Sequence, residues 1–389
     1  MHKETTLADE NAPFIAGFCD ERFGKLREQF ALNFTERRER GAALAVWYEG
    51  RVVCDLWGGW SDLARKVAWS RDTIVNVFSV SKAFCAIAIM RLVDSGTLDL
   101  DRCVAEYWPE FAAAGKESVT VRQLMSHQAG LPAIREPLPD GAALDWQMMT
   151  AALAAQAPWW KPGTAHGYHV NTFGFLAGEI VRRVSGRTIG TLLREDVAGP
   201  LGADIHIGLP ASEHHRVAEF AWPGNVAKPD IKDNDALMRW NTYWNPPGLS
   251  GAHWVNTAPW REAEVPATNG HGNARGIARV YAALANGGTI DGVQILSADA
   301  VAAAAAEQVN GPDIINLRPS RFGIGFQLTQ PERPLGPNPG AFGHFGAGGS
   351  LGFCDPQARI AFGYATNDMG PRWQNPRNRA LLDAVYASL

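Results

Sequence analysis

The sequence is poor in cysteine, and the few cysteines that it has form no recognisable pattern. They stand at Cys19, Cys54, Cys85, Cys103 and Cys354, so their number is odd and no two of them make a C-x-x-C motif. A disulfide framework or a structural zinc site needs paired or closely spaced cysteines. We therefore expect reduced thiols in a cytoplasmic protein, and no metal site.

Long apolar runs and an excess of basic charge are also missing. No stretch reaches the roughly eighteen apolar residues of a membrane span, and the first residues, MHKETTLADENAPF, contain no apolar core of a secretory signal. The formal net charge of -4 provides no basic surface for nucleic acid or anionic lipid. We expect a cytoplasmic protein whose partner is a small molecule, with no nucleic-acid or membrane partner. The oligomeric state stays open.

Strand patterns are concentrated at the two ends of the chain. Residues 21–39 carry apolar residues at helical spacing, and residues 42–59 predict two strands around a Glu49-Gly50 turn. Near the other end, FGIGFQL, GSLGFCD and ARIAFGYATND predict strands, and RNRALLDAVYASL predicts a closing helix. The long middle of the chain shows few strand alternations. In that part, Ser297 is a candidate cap for the alanine-rich helix that follows it.

This distribution predicts an α+β fold, with one antiparallel sheet built from both ends of the chain and flanked by the terminal helices. Residues 1–99 and 310–389 would form this α/β lobe. Residues 100–309 would form a mainly helical lobe inserted into it. The sequence shows no fixed-period repeat and no long linker, so we expect one catalytic unit rather than separate modules.

Two serines are candidate nucleophiles. Ser350 lies in GGSLG, which fits the G-x-S-x-G pattern of serine hydrolases. A nucleophile elbow needs a strand, a sharp turn and then a helix, whereas Ser350 is followed by Leu351-Gly352-Phe353 and a second strand-like run. The segment therefore predicts a hairpin, and we interpret the glycines as a strand edge where backbones approach closely.

Ser79 is the better candidate. It stands three residues before Lys82, at the start of an apolar run that predicts a buried helix. Backbone N–H groups at a helix start favour a developing negative charge, and burial favours the neutral amine of a lysine, which can then accept a proton. The alternative is a capping serine beside a lysine that reaches solvent. Tyr168, in a glycine-rich turn before an amphipathic helix, is a candidate partner base, since a nearby lysine can ease its deprotonation.

The ordered set Ser79-Val80-Ser81-Lys82, Tyr168 and His344-Phe345-Gly346 resembles the three motifs of the serine β-lactamase and penicillin-binding-protein superfamily. The resemblance spans roughly residues 42–368. It is to the class C branch, and most closely to the family VIII carboxylesterases. It implies a class C β-lactamase-like fold, with a helix–sheet–helix lobe, an all-helical lobe and the site between them.

The resemblance also implies a mechanism. Lys82 and Tyr168 would together take the proton of Ser79, which forms an acyl-enzyme, and the backbone amides of Ser79 and Ala347 would form the oxyanion hole. His344 and Gly346 would shape the strand wall. No metal or organic cofactor is required.

Two departures from the class C pattern favour an esterase. Class C enzymes have Asn two residues after the tyrosine, where this chain has Val170, with Asn171 one position later. Their third motif begins with a lysine that holds a substrate carboxylate. Here His344 takes that position and is mostly neutral near pH 7. We predict a serine carboxylesterase for small or short-acyl esters. The alternatives are a β-lactam or amide hydrolase on the same scaffold, and a binding protein with a degenerate site.

The remaining polar and aromatic clusters carry weaker signals. Glu213-His214-His215 with Glu219 is a poor metal site, because neighbouring residues on a helix face apart. The glycines around His344 open no helix with Lys-Ser or Lys-Thr, which excludes a typical phosphate loop. A tryptophan-rich stretch could pack a long loop or line an acyl pocket. Its pocket candidates are Trp240, Trp244 and Trp254.

Overall fold

A computed structural model describes residues 14–224 and 227–389. The helices of these residues are α1 (Gly24–Thr35), α2 (Ser81–Asp94), α3 (Val104–Tyr107), α4 (Val121–Met125), α5 (Trp146–Ala155), α6 (Thr172–Ser185), α7 (Ile189–Leu193), α8 (Gly199–Leu201), α9 (Asn234–Trp244), α10 (Ala258–Glu262), α11 (Ala274–Ala285), α12 (Ala298–Ala305) and α13 (Pro376–Tyr386).

The strands of the same residues are β1 (Ile15–Cys19), β2 (Gly41–Tyr48), β3 (Arg51–Gly59), β4 (Val75–Asn76), β5 (Ile205–His206), β6 (His271–Gly272), β7 (Thr289–Ile290), β8 (Val293–Gln294), β9 (Val309–Asp313), β10 (Arg318–Phe322), β11 (Gln327–Leu328), β12 (Phe342–Phe345), β13 (Leu351–Asp355) and β14 (Ile360–Thr366).

One nine-stranded antiparallel sheet dominates the molecule. Its strand order is β1-β3-β2-β14-β13-β12-β11-β10-β9, so strands from the two ends of the chain meet where β2 pairs with β14. The prediction of an antiparallel sheet made from both termini is confirmed. The predicted strand FGIGFQL is only partly correct, because residues 323–326 form a turn between β10 and β11.

Helices cover both faces of this sheet. On one face α1 packs against α13, and residues such as Phe30, Leu44 and Leu381 form one apolar core. On the other face α11 packs on β2, β13 and β14, and a larger core extends from there through α2 and α6. The α+β, class C β-lactamase-like fold expected from the sequence is confirmed. The division at residues 99/100 and 309/310 stays a prediction, and α11, from the inserted segment, contacts the sheet.

Local sequence signals account for several of these elements. Glu49 and Gly50 form the β2–β3 turn, and both have a positive φ, which glycine adopts without strain. Ser297 caps α12 by accepting a hydrogen bond from the Ala300 amide, as predicted. Cys19 and Cys54 are free thiols at opposite positions of β1 and β3. None of the described helices is long and apolar enough to cross a membrane.

Candidate active site

Ser79 lies in a tight turn rather than in the first turn of α2. Residues 78–80 form one 3-10 turn directly before Ser81, where α2 begins. Phe78 has a φ of 49°, a left-handed conformation that is unusual for a bulky aromatic residue, and its ring packs edge-on against Phe220 at 4.8 Å. Ser79 is partly exposed, while Phe78 and Val80 on either side are buried. The turn therefore presents one hydroxyl to the cleft.

Lys82 is fully buried and its amine points at Ser79. The Nζ atom lies 3.0 Å from Ser79 Oγ, 2.5 Å from the Val170 carbonyl oxygen and 3.0 Å from the Ala267 carbonyl oxygen. Two of the three neighbours are carbonyl groups, which can only accept hydrogen bonds. A neutral amine can donate to both carbonyls, and its lone pair then faces the Ser79 hydroxyl. Burial lowers the pKa of Lys82 to about 7.

Tyr168 is also fully buried and lies beside this pair. Lys82 Nζ sits 4.8 Å from the centre of the Tyr168 ring, and the phenol lies close enough to Ser79 for the serine to affect its pKa. Burial raises the pKa of Tyr168 well above its usual value, although the Ser79 hydrogen bond acts in the opposite direction. The role of Tyr168 as a partner base stays a prediction, and burial opposes the easier deprotonation that a nearby lysine would give. With a pKa of about 7, Lys82 is the better placed of the two groups to accept a proton near neutral pH.

His344 lies on β12, next to Tyr168, and is fully buried. Its Nδ1 is 2.7 Å from the Phe345 carbonyl oxygen, so Nδ1 carries the ring proton. The other ring nitrogen, Nε2, is then an acceptor for the Tyr168 hydroxyl at 3.4 Å, a long hydrogen bond. Burial and then the charge of Lys82 hold the pKa of His344 well below its ordinary value. The lowered pKa agrees with the expectation that His344 is neutral near pH 7, which stays a prediction.

The end of β12 lies against the segment that leads into Ser79. A Cβ atom at Gly346 would collide with the Val77 carbonyl oxygen, so only glycine lets the two backbones approach this closely. Ala347 follows directly. Within residues 14–224 and 227–389, the amides of Ser79 and Ala347 donate to no backbone acceptor outside their own turns. The two amides that are predicted to form the oxyanion hole therefore lie on adjoining segments, and neither donates to a backbone acceptor of the described residues beyond its own turn.

Ser350 occupies a different kind of position. It stands between a short turn and β13 in a β12–β13 hairpin, and no helix follows it. The side chain is completely buried, and its Oγ accepts a hydrogen bond from the Thr366 amide at 3.3 Å. The predicted hairpin is confirmed. The G-x-S-x-G pattern here belongs to a glycine-rich loop and not to a strand–turn–helix elbow.

The tryptophans named as pocket candidates are not next to the three central residues. Trp240 and Trp244 stack on each other at 5.5 Å and line a cavity of about 560 Å³ whose lining does not include Ser79, Lys82 or Tyr168. Trp254 donates from Nε1 to Asp140 Oδ1 at 3.1 Å. Their role in binding an acyl group stays a prediction.

Other aromatic residues contact Tyr168 instead. The Phe322 ring lies parallel to the Tyr168 ring at 5.8 Å, and the Trp373 ring packs on it at 5.1 Å. Sequence reasoning missed both residues, because they lie far along the chain and carry no motif. Nothing in their immediate sequence marks them as neighbours of Tyr168.

Asn171 does not replace the class C asparagine at this site. Its amide nitrogen donates to the Thr242 carbonyl oxygen at 2.9 Å and to Ser250 Oγ at 3.0 Å. Its side-chain oxygen accepts from the Thr268 hydroxyl. Asn171 thus ties the start of α6 to three later residues of the chain, while the neighbouring Val170 meets Lys82 through its carbonyl group. Within the described residues, no group of three or more His, Cys, Asp and Glu side chains is arranged to hold a metal ion.

A serine hydroxyl 3.0 Å from a buried lysine amine, with a tyrosine beside both and the end of a strand alongside, is the arrangement of serine hydrolases with a β-lactamase fold. The model of the family described as "Beta-lactamase" matches residues 23–387. The chain therefore belongs to the beta-lactamase family.

The relatives within this family include named esterases. The chain is 38% identical to the "Esterase/beta-lactamase LipL" of Mycobacterium tuberculosis, over 91% of this chain and 83% of that protein. A solved structure titled as a family VIII carboxylesterase superposes with a TM-score of 0.90 at 45% identity, covering 96% of this chain and all (100%) of the other. The solved structure of a penicillin-binding-protein homologue from Caulobacter crescentus superposes with a TM-score of 0.89 at 43% identity, covering 96% of this chain and 100% of the other. The chain is thus an enzyme, a serine ester hydrolase.

Proposed function

We propose that this enzyme is a carboxylesterase that hydrolyses small or short-acyl esters through a Ser79–Lys82–Tyr168 acyl-enzyme mechanism. The observation that carries the proposal is the position of Lys82. Its amine is 3.0 Å from the Ser79 hydroxyl, is oriented by two carbonyl groups, and has a pKa of about 7. A base with a pKa near the working pH is the most effective at taking a proton from a nucleophile.

In the acylation step, Lys82 takes the proton of Ser79 while the serine oxygen attacks the ester carbonyl. The negative charge that develops on the carbonyl oxygen is met by the amides of Ser79 and Ala347, each of which contributes about 3 kcal/mol in comparable sites. The C–O bond then breaks, and the departing alcohol oxygen takes a proton that passes from Lys82 through the Tyr168 hydroxyl. His344 accepts a hydrogen bond from Tyr168 and so keeps the phenol in place.

In the deacylation step, a water molecule replaces the alcohol. Lys82 takes a proton from this water as the water attacks the acyl carbon, and the proton returns to Ser79 when the acid leaves. Tyr168 again lies between the amine and the reacting oxygen atoms. The cycle uses only side chains and amides of this chain.

The neutral state of His344 favours esters over β-lactams. A β-lactam carries a carboxylate that a lysine at this position would hold, and Val170 supplies no amide side chain for its ring substituent. Weak β-lactam hydrolysis is the second candidate function, because the relative LipL is named an esterase and a β-lactamase. A cytoplasmic location stays a prediction.

The decisive experiment compares the two serines. We expect Ser79→Ala to lower p-nitrophenyl butyrate hydrolysis by about a thousandfold or more, as for other acyl-transfer nucleophiles. Ser350→Ala should fold and keep substantial activity. A fluorophosphonate label mapped by mass spectrometry should be found on Ser79, and a label on Ser350 would contradict the proposal. A chromogenic cephalosporin assayed in parallel should turn over more slowly than the ester. Faster turnover of the cephalosporin would favour the second candidate.

A further inference from the structure

Two arginines share one aromatic ring beside Tyr168. Arg318 begins β10, and Arg333 lies in the turn after β11. Their guanidinium carbons are 5.0 Å and 5.6 Å from the centre of the Trp373 ring. Trp373 itself packs on Tyr168 at 5.1 Å. Both guanidinium groups thus contact the aromatic ring that packs directly on Tyr168.

Neither arginine has an acidic partner in the described part of the chain, where no carboxylate oxygen lies within 4.0 Å of either guanidinium group. Arg321, three residues further along β10, shows the contrast, since it pairs with Glu307 at 2.6 Å. Asp313 is the nearby acid on β9, but its oxygens already accept hydrogen bonds from the Tyr168, Ile315 and Asn316 amides and from the Asn316 and Ser320 side chains.

Arg333 is a buried cation without a counter-ion. It is 8% exposed, its Nη2 donates to the Pro319 carbonyl oxygen at 2.9 Å, and its Nε and Nη1 have no partner. Burial and the charge of Arg318 lower the pKa of Arg333 to about 10, so it stays protonated at neutral pH. Burying an unpaired charge is costly, and an anion that enters the site offsets this cost.

Arg318 is less buried than Arg333, so part of its side chain stays accessible. A planar guanidinium group that rests on an indole ring is already oriented, and its fork of N–H donors matches the two oxygens of a carboxylate. Since His344 is neutral, Arg318 and Arg333 supply permanent positive charge beside Trp373, in addition to the Lys82 amine when that amine is protonated. Arg333, the more buried of the two, adds to the positive electrostatic potential without needing to contact the ligand.

We propose that Arg318 and Arg333 form an anion-binding subsite beside Tyr168, so that the preferred ester carries a carboxylate on the part that reaches Trp373. This inference rests on the proposed esterase function and names its substrate class. The carboxylate can belong to the acyl group, as in a monoester of a dicarboxylic acid, or to the alcohol. The test distinguishes these two sources.

The test compares matched anionic and neutral esters. For the acyl side the pair is mono-p-nitrophenyl glutarate and its methyl-capped diester. For the alcohol side the pair is 4-acetoxybenzoate and its methyl ester. We expect the native enzyme to prefer the anionic member of at least one pair by about tenfold in kcat/KM, through a lower KM. Added salt should reduce the preference.

The variants assign this preference to the arginines. Arg318→Gln should lower kcat/KM much more for the anionic ester than for its neutral partner and so remove most of the preference, whereas Arg318→Lys should keep part of it. Arg359→Gln, at an exposed arginine that pairs with Glu49, is the matched control and should change nothing. Arg333→Gln should act like Arg318→Gln, and if this variant does not fold, the Arg318 variants decide.

The two proposals fail in different ways. A native enzyme that hydrolyses the neutral esters but shows no preference for either anionic ester would overturn the subsite only. The same conclusion follows if Arg318→Gln leaves the preference intact. A native enzyme that hydrolyses none of the four esters would contradict the proposed esterase function itself.

Discussion

At the scale of the residue, the chemistry of Lys82 comes from its surroundings. The same lysine on a surface would be protonated at neutral pH, with a pKa near 10.4 on average. In this site it is buried, and its polar neighbours are two carbonyl groups and one hydroxyl. Because no carboxylate among the described residues is in contact with the amine, desolvation dominates and the neutral form is favoured.

This environment predicts the pH dependence of the reaction. Only the neutral amine accepts a proton, so kcat/KM for a neutral ester should rise tenfold per pH unit below about 7, the pKa of Lys82, and level off above it. Burial keeps the pKa of Tyr168 far above this range and the pKa of His344 far below it, so neither residue should contribute to the acid limb. The profile is measured with p-nitrophenyl butyrate between pH 5 and 9, where the background hydrolysis is subtracted.

Lys82→Arg is the informative variant for this profile. Arginine stays charged at every accessible pH, so the acid limb should disappear together with nearly all of the activity. A variant that keeps an acid limb near pH 7 would show that another group is the base. His344→Gln is the companion variant, because glutamine stays neutral and can still accept from Tyr168. We expect the acid limb of the pH profile to remain in the His344→Gln variant.

At the scale of the element, the N-terminus of α13 holds the glycine-rich loop that follows β12. Asn375 Nδ2 donates to the Gly348 carbonyl oxygen at 3.0 Å, and Asn378 Nδ2 donates to the Gly349 carbonyl oxygen at 2.9 Å. Both glycines have a positive φ, 85° and 121°. This explains Gly348, the first glycine of the G-x-S-x-G pattern, and its neighbour Gly349, since they shape a loop whose first residue, Ala347, offers its amide to the cleft.

Asn375→Asp tests this support. Aspartate can still cap α13 through its side-chain oxygen, but it cannot donate to Gly348. We expect kcat to fall by about tenfold with little change in KM, because the oxyanion donor moves while the ground-state contacts remain. Steady-state kinetics with p-nitrophenyl butyrate provide the measurement.

Ser297→Ala is the control, since it removes the cap of α12 at a different place in the molecule. This loss should cost about 1 kcal/mol of stability and leave kcat unchanged. Equal losses of kcat in the two variants would mean that general destabilisation, and not the loop, is responsible.

At the scale of the whole molecule, a buried ion pair joins the two ends of the chain. Arg377 of α13 donates to Glu39, directly before β2, at 2.9 Å, and the two side chains are 6% and 0% exposed. Glu39 also accepts hydrogen bonds from Thr366 and Tyr364 on β14. The pair therefore lies at the point where β2 and β14 close the sheet.

Removing one partner of this pair should weaken the whole fold. We expect Glu39→Gln to lower the free energy of unfolding by about 3–5 kcal/mol, since Arg377 then stays buried without its counter-charge. Denaturant unfolding followed by tryptophan fluorescence measures this change. Glu49→Gln, which breaks the exposed pair with Arg359 between the same two parts of the chain, should cost less than about 1 kcal/mol. A Glu39 variant as stable as the Glu49 variant would contradict this account.

Much of the molecule is determined by the sequence itself. The spacing of apolar residues and the identity of the turn residues predict the terminal helices, the β2–β3 hairpin and the late strands. They also predict that no helix follows Ser350. The spacing of Ser79 and Lys82 puts them one turn apart. These features depend on residues close together in the chain, so their physical causes can be inferred from the sequence.

The tertiary structure alone decides which distant residues meet and how much water they lose. It brings the carbonyl groups of Val170 and Ala267 to Lys82, and it places Phe322 and Trp373 around Tyr168. It also sets the pKa values of Lys82 and Tyr168, because a pKa depends on desolvation and on neighbours from other elements. No local pattern reveals these quantities, since each is created only when the sheet and the helices have packed together.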